Sequence, residues 1–292
     1  MPATKLTAKP VADALTEKVT AQIAALKTKG VTPTLAILRV GERADDLSYE
    51  KGALKRCETV GMAVKQVVLP QDVAKDDLLG AVKELNADDG VHGVLIFRPL
   101  PFEKDVFDTL DPKKDIDGAT DASTALLFNG FGGTVFGGGE GPKPENSAFP
   151  CTPAACMAIL DHYGYGDVKG KNVAFVGSGL RVGRPLGILL LNRGATITYC
   201  HEFTENTAEI CSAADVIVVA VGRANLIGES HMKPGQVIID AGLSVGADGK
   251  MVGDTDQAAA EKIGVSYTPS VGAVTTAVLV SHVVDAAAKT LK

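Results

Sequence analysis

Val173-Ala174-Phe175-Val176-Gly177-Ser178-Gly179-Leu180-Arg181-Val182-Gly183-Arg184-Pro185 reads as a buried strand that ends in a glycine-rich turn and opens a helix. Glycines in such a turn let the backbone approach a pyrophosphate, and the free N–H groups of the helix start stabilise its charge. The interval from Gly179 to Gly183 is one residue longer than in G-x-G-x-x-G, so taken alone the stretch fits dinucleotide binding and a plain strand–helix turn equally well. An acid, Glu202, follows 25 residues after Gly177 and just beyond a second strand-like run, Ala195 to Cys200. A carboxylate there can hold ribose hydroxyls, and a 2′-phosphate would meet like charge, which favours NAD over NADP. The other reading of Glu202 is an ordinary exposed loop acid. The candidate cofactor-binding residues are Gly177, Ser178, Gly179, Leu180, Arg181, Val182, Gly183, His201 and Glu202, with Ala220, Val221 and Gly222 after a third strand.

Around this turn the periodicity predicts strands over 171–177, 195–200, 215–221 and 236–241 and helices over 182–192 and 206–213, the order of a doubly wound nucleotide-binding unit. Upstream, Val11, Leu15, Val19, Ile23 and Leu26 lie on one face of a helix over about 8–28. Strands are expected over 34–40, 63–69 and 91–97, a helix over 47–60 ended by Gly61, and another marked by Leu78, Leu79, Val82 and Leu85. This alternation predicts an α/β first half with a largely parallel sheet. Between Phe128 and Pro150 the glycine-rich composition suits a surface loop at a domain junction. Thr152-Pro153 is expected to cap and open a helix reaching Tyr163, and a last helix over about 274–291 returns to the first domain.

The chain has 292 residues, enough for about two domains. Its 46% hydrophobic content can build a sizeable core. Twenty-nine Lys and Arg against 35 Asp and Glu leave a formal charge of −6 without a long charged block, so nucleic acid is not the expected partner. Cysteines 57, 151, 156, 200 and 211 are odd in number and scattered, which suits a reduced, cytoplasmic protein. Residues 1–6 lack the apolar run of a secretion signal, and 277–288 are interrupted by Ser281, His282 and Asp285, so no membrane span is expected. His201 and His231 lack partners at metal-ligand spacing, and no metal is expected. There is no G-x-S-x-G elbow or Walker sequence to suggest hydrolase or kinase chemistry.

In the first half, Lys113-Lys114-Asp115-Ile116-Asp117-Gly118 places two carboxylates in one turn, able to grip a polar ring or to form only a solvated turn. Phe97-Arg98-Pro99-Leu100-Pro101 ends a strand where α/β sheets bind ligands, although two prolines also mark a simple turn. Tyr49 can stack on an aromatic substrate or fill the core.

These stretches together resemble the bifunctional methylenetetrahydrofolate dehydrogenase/methenyltetrahydrofolate cyclohydrolase family. The likeness runs through Val40-Gly41, Ser48-Tyr49, Cys57-Glu58-Thr59-Val60-Gly61, Pro99-Leu100-Pro101, Lys114 to Gly118, Pro150-Cys151-Thr152-Pro153, Val182 to Pro185, Cys200-His201, Val237 to Gly242 and Gly253-Asp254. It implies an α/β chain with a folate-binding catalytic domain over 1–147 plus 274–292 and a Rossmann-like NAD-binding domain over 148–273, paired as a homodimer. Its substrates would be one-carbon tetrahydrofolates, and its reaction hydride transfer from the bridge carbon to the nicotinamide, mainly a matter of alignment. Tyr49 would orient the folate and Asp117 hold the pterin ring, with Phe97, Arg98, Pro99, Leu100, Gly272 and Thr275 also at the folate site.

The departures from the family sharpen the expectation. The cyclohydrolase lysine four residues after the tyrosine is Ala53 here, with Lys51 and Lys55 about 200° round the helix on either side. The glutamine that assists it is Phe97, and Arg98 stands in the next leucine position. The closing loop is shortened to Pro269-Ser270-Val271-Gly272-Ala273-Val274-Thr275. Ser178 and Glu202 replace the arginine and serine of NADP-using members. The expected protein is therefore an NAD-dependent, largely monofunctional dehydrogenase. The alternatives are a bifunctional enzyme using Lys51 or Lys55, a dehydrogenase on a related pterin carrier, and a non-catalytic nucleotide-binding protein.

Overall fold

The computed structural model describes residues 3–129, 149–246 and 251–291. The expected glycine-rich junction loop lies almost wholly outside them. The described residues divide into two compact units, one of 13–129, 149–151 and 276–291, the other of 3–12 and 152–275. The expected boundaries differ chiefly at the start of the chain. Residues 3–12 join the nucleotide-binding half because Lys5 bridges Tyr267 in parallel and the Leu6 N–H donates to the Tyr267 carbonyl at 2.8 Å.

The chain opens with α1 (Ala8–Lys27), β1 (Thr34–Val40), α2 (Ala44–Val60), β2 (Ala63–Leu69), α3 (Lys75–Ala87) and β3 (Gly93–Ile96). Two short helices, α4 (Glu103–Thr109) and α5 (Asp121–Asn129), follow. The strands form a parallel sheet in the order β2-β1-β3, extended beside β3 by a parallel bridge from Val94 to Asp115. Central β1 buries Leu35 to Leu38, and Leu78, Val82 and Leu85 of α3 pack on the sheet at helical spacing. Helix α2 stops at Gly61, whose φ of 70° closes the last turn.

The remaining elements are α6 (Cys151–His162), β4 (Asn172–Val176), α7 (Gly183–Asn192), β5 (Thr196–Cys200), α8 (Thr207–Ala213), β6 (Val216–Val219) and β7 (Val237–Asp240). After these come the hairpin β8 (Ser244–Val245) and β9 (Met251–Val252), then α9 (Gln257–Ile263), β10 (Ser266–Tyr267) and α10 (Gly272–Lys289). Five parallel strands run in the order β10-β7-β6-β4-β5. Strand β4 thus lies between β5 and β6, and the crevice beyond its carboxyl end is the topological switch point of a Rossmann-like sheet.

Helix α6 begins at Cys151, not after a Thr152 cap. Its first N–H is taken by Asp117, whose Oδ1 lies 2.9 Å from the Cys151 nitrogen. All five cysteines are buried and unpaired, and burial pushes the thiols of Cys57, Cys156 and Cys211 up to about 12. Among the described residues no helix is long and apolar enough to cross a membrane.

Candidate active site

In the first unit, the carboxyl end of β3 delivers Phe97 and Arg98 beside the helix that carries Tyr49. The Tyr49 and Phe97 rings meet edge to face with centroids 5.8 Å apart. Arg98 Nη2 lies 3.8 Å from Asp117 Oδ2, and its guanidinium covers the Phe107 ring at 5.4 Å. Tyr49, Phe97, Arg98 and Asp117 are therefore one cluster, with Pro99 and half-buried Leu100 continuing the chain beyond Arg98. Burial raises the Tyr49 hydroxyl well above its usual range, and the neighbouring Cys151 and Asp117 add to this. Burial also raises Asp117, against the lowering effects of the Cys151 N–H and Arg98.

The two acids of the 113–118 turn have separate tasks. Asp115 is buried and spent on local structure, accepting the Ala119 and Thr120 N–H groups and the Ser123 hydroxyl. Asp117 is the one left facing the Tyr49 cluster. Next to it, the Ile116 carbonyl lies 2.9 Å from His282 Nδ1. Since a carbonyl only accepts, this nitrogen carries the proton.

Helix α2 is held by a buried ion pair one residue from Tyr49. Arg39 Nε donates to Glu50 Oε2 and Gln66 Nε2 to Glu50 Oε1, both at 2.8 Å, and Arg39 also reaches the Gly41 carbonyl. Ala53 is wholly buried, while Lys51 and Lys55 are exposed. Gly272 and Thr275 belong to the other unit, where the buried Thr275 hydroxyl donates to the Val271 carbonyl at 3.2 Å. A cavity of about 680 Å³ in the first unit, lined by His92, Asp115, His282 and Asp285 among others, lies at the opposite, amino end of β3.

In the second unit, Gly177 follows β4 at a φ of 105°, and a Cβ there would lie 2.7 Å from the Ala220 carbonyl oxygen. A Cβ on Gly183 would collide with the Gly177 carbonyl oxygen. These two glycines let the turn fold onto α7, whose start has no side-chain cap. Gly179, Leu180 and Arg181 face solvent above the turn, with Ser178 and Val182 half-buried. His201 and Glu202 are exposed at the end of β5, and Val221 and Gly222 are exposed beyond half-buried Ala220 at the end of β6. The open helix start and the exposed chain ends beyond β5 and β6 together form a crevice that fits a dinucleotide.

One residue that shapes this crevice had no role assigned from the sequence. Asp254, wholly buried, accepts the N–H groups of Val221, Gly222 and Arg223 at 2.7, 2.9 and 2.6 Å. It fixes the loop beyond β6. Its neighbour Asp240 accepts the Gly242 and Thr255 N–H groups at 2.9 and 2.8 Å. The signal for it in the sequence is the Gly253-Asp254 step within the family likeness.

Two family profiles match the chain: the catalytic domain of tetrahydrofolate dehydrogenase/cyclohydrolase over residues 6–117, and the NAD(P)-binding domain of the same family over 150–291. The chain belongs to the tetrahydrofolate dehydrogenase/cyclohydrolase family. The bifunctional protein FolD of Carboxydothermus hydrogenoformans is 42% identical over 97% of both chains. The crystal structure of the FolD dehydrogenase/cyclohydrolase of Campylobacter jejuni superposes with a TM-score of 0.90 at 30% identity, over 99% of both chains. The FolD of Trypanosoma brucei, solved with NADP and an inhibitor, gives 0.88 at 26% identity, covering 100% of this chain and 99% of that one. The chain thus has the two-domain α/β architecture of the family, a folate-binding domain with a Rossmann-like NAD(P)-binding domain, and is a folate- and NAD(P)-linked dehydrogenase.

Proposed function

We propose that the protein oxidises 5,10-methylenetetrahydrofolate with NAD and also hydrolyses the methenyl product. The coexistence of Tyr49, Arg98 and Asp117 in one cluster carries the folate reading. The bifunctional naming of relatives such as the FolD proteins of Carboxydothermus hydrogenoformans and Campylobacter jejuni supports both activities more than the dehydrogenase alone that Ala53 and Phe97 suggest.

The chain's own part in dehydrogenation is to hold two partners in line. Asp117 accepts hydrogen bonds from the pterin edge, with Arg98 keeping part of its charge compensated, and Tyr49 orients the ring system. A nicotinamide held at the crevice beyond β4 would supply the acceptor for the hydride of the bridge carbon. In the hydrolytic half, water adds to the methenyl carbon, one of its two C–N bonds opens, an N-formyl group remains and a proton is released. Arg98 is the cation of the cluster and would orient that water, since Lys51 and Lys55 point to solvent. Loss of methenyl absorbance above the spontaneous rate, abolished in R98L, supports this half. A wild-type rate equal to the spontaneous one leaves the second reading, a dehydrogenase alone, favoured by the buried Ala53.

NAD over NADP rests on Glu202 and on Ser178 in the position of a phosphate-binding arginine. A kcat/KM higher with NADP than with NAD overturns it. A homodimer is read from the family likeness and is tested by sedimentation. Cytoplasmic location is supported by five buried, unpaired cysteines, which suit a reducing compartment.

A further inference from the structure

Strand β5 forms one edge of the five-stranded sheet, and its carboxyl end opens beside the Gly177 turn on β4. Three residues past that end stands Phe203, 82% exposed. A phenylalanine so placed forgoes the burial that normally stabilises it, and a single exposed ring needs no explanation unless it is also held in place. This one is held. The His201 N–H donates to Thr204 Oγ1 and the Thr204 N–H returns to the His201 carbonyl, both at 2.9 Å, and the Phe203 N–H donates to His201 Nδ1 at 3.2 Å. The Phe203 and His201 rings meet edge to face, with centroids 5.9 Å apart. On the far side of β4, Val221 is 46% exposed at the end of β6. Two strand spacings, about 10 Å, separate β5 from β6 and leave room for a flat base between their loops.

We propose that Phe203 is the stacking platform for the adenine base of the dinucleotide, with Val221 as the facing wall. The proposal deepens the cofactor reading and rests on it for one point: an acid that holds the adenosine ribose at Glu202 puts the base at the adjoining residue. Stacking on an aromatic face needs no hydrogen-bond pattern from the base, so the ring supplies affinity while Glu202 supplies discrimination at the ribose.

The test is titration calorimetry of the full-length protein with ADP-ribose, and with nicotinamide mononucleotide as the probe of the other half of the cofactor. Replacing Phe203 with Ala is expected to raise the ADP-ribose Kd about tenfold, the loss of one base–aromatic stack. F203Y restores the wild-type value, F203L recovers only part of it, and the mononucleotide binds all four proteins alike. An unchanged ADP-ribose Kd in F203A overturns the proposal, as does an equal loss for both probes or an F203L value matching F203Y. A changed sedimentation coefficient in F203A with unchanged ADP-ribose binding overturns it too, and makes the ring a contact between copies of the chain. A wild-type preference for NADP overturns the discrimination assigned to Glu202 and not this proposal, since the adenosine ribose stands at the same residue with either cofactor. The 2′-phosphorylated ADP-ribose carries the same base and then serves as the probe.

Discussion

Oδ2 of Asp254 lies 2.7 Å from the backbone nitrogen of Val221, so a carboxylate with no solvent exposure holds the second residue of the loop beyond β6 that faces the cofactor crevice. Gly222 and Arg223 donate to the same side chain. An asparagine there keeps the shape but turns an NH2 toward N–H donors. D254N is expected to raise the NAD KM about tenfold, with a stability loss of about 2 kcal/mol and an unchanged folate KM. Steady-state kinetics at saturating folate check this. A folded D254N with the wild-type NAD KM would show that the loop holds its shape without the carboxylate.

Glu50, on the helix that carries Tyr49, and Arg39 of β1 form a buried pair. Replacing one partner leaves the other charge buried and uncompensated, so E50A is expected to lose about 3 kcal/mol in urea unfolding. The R39M/E50L double variant is expected to recover most of it. Equal losses in the single and double variants would count against a coupled pair.

Glu202 is exposed and charged at the end of β5. E202S removes the like charge a 2′-phosphate would meet, and the ratio of kcat/KM for NADP over NAD is expected to rise about tenfold. A ratio that stays put assigns the preference to another residue.

Ala53 is packed with no exposure, and Phe97 leans on Tyr49. Installing the family's pair as A53K/F97Q is expected to lower Tm, because an ammonium enters a buried position. It is also expected to raise methenyl hydrolysis about a hundredfold, a typical yield of one positioned acid–base group. A folded double variant with no gain in hydrolysis refutes the substitution as the cause of any weakness in that step.

Burial lowers His92, His231 and His282 from the ordinary value of 6.5. A depressed histidine is neutral when folded and takes up a proton on unfolding. Its contribution to stability is therefore complete above about pH 6.5 and is lost as pH falls from there through the folded pKa. Tm is expected to fall from pH 7 to pH 5, with proton uptake on unfolding in that interval. A flat Tm, or proton release, would contradict the buried neutral state.

Thr34–Val40 and Ala63–Leu69 have the same ends in the sequence reading and in the structure, because each is a short run rich in β-branched and aliphatic residues between turn residues. Gly177 and Gly183 were legible for the same local reason. Strand β10 was not, since two residues carry no period and its outer partner is Lys5, far away in the chain. Both Asp115 and Asp117 stood in one turn, and only three-dimensional contacts show that the first serves α5 and the second caps α6. The start of α6 is hidden from local sequence for that reason: its cap comes from 34 residues upstream. Asp254 escaped because its partners are backbone groups more than 30 residues away, which leave no mark on side-chain spacing.

The buried thiols give the chain its own opening clock. An alkylating reagent has no entry to any of the five while the protein is folded, and Cys57 and Cys151 lie in one unit while Cys156, Cys200 and Cys211 lie in the other. The order in which peptides become labelled therefore reports which half of the molecule opens first, and the interval between the two sets measures how far the halves unfold as one.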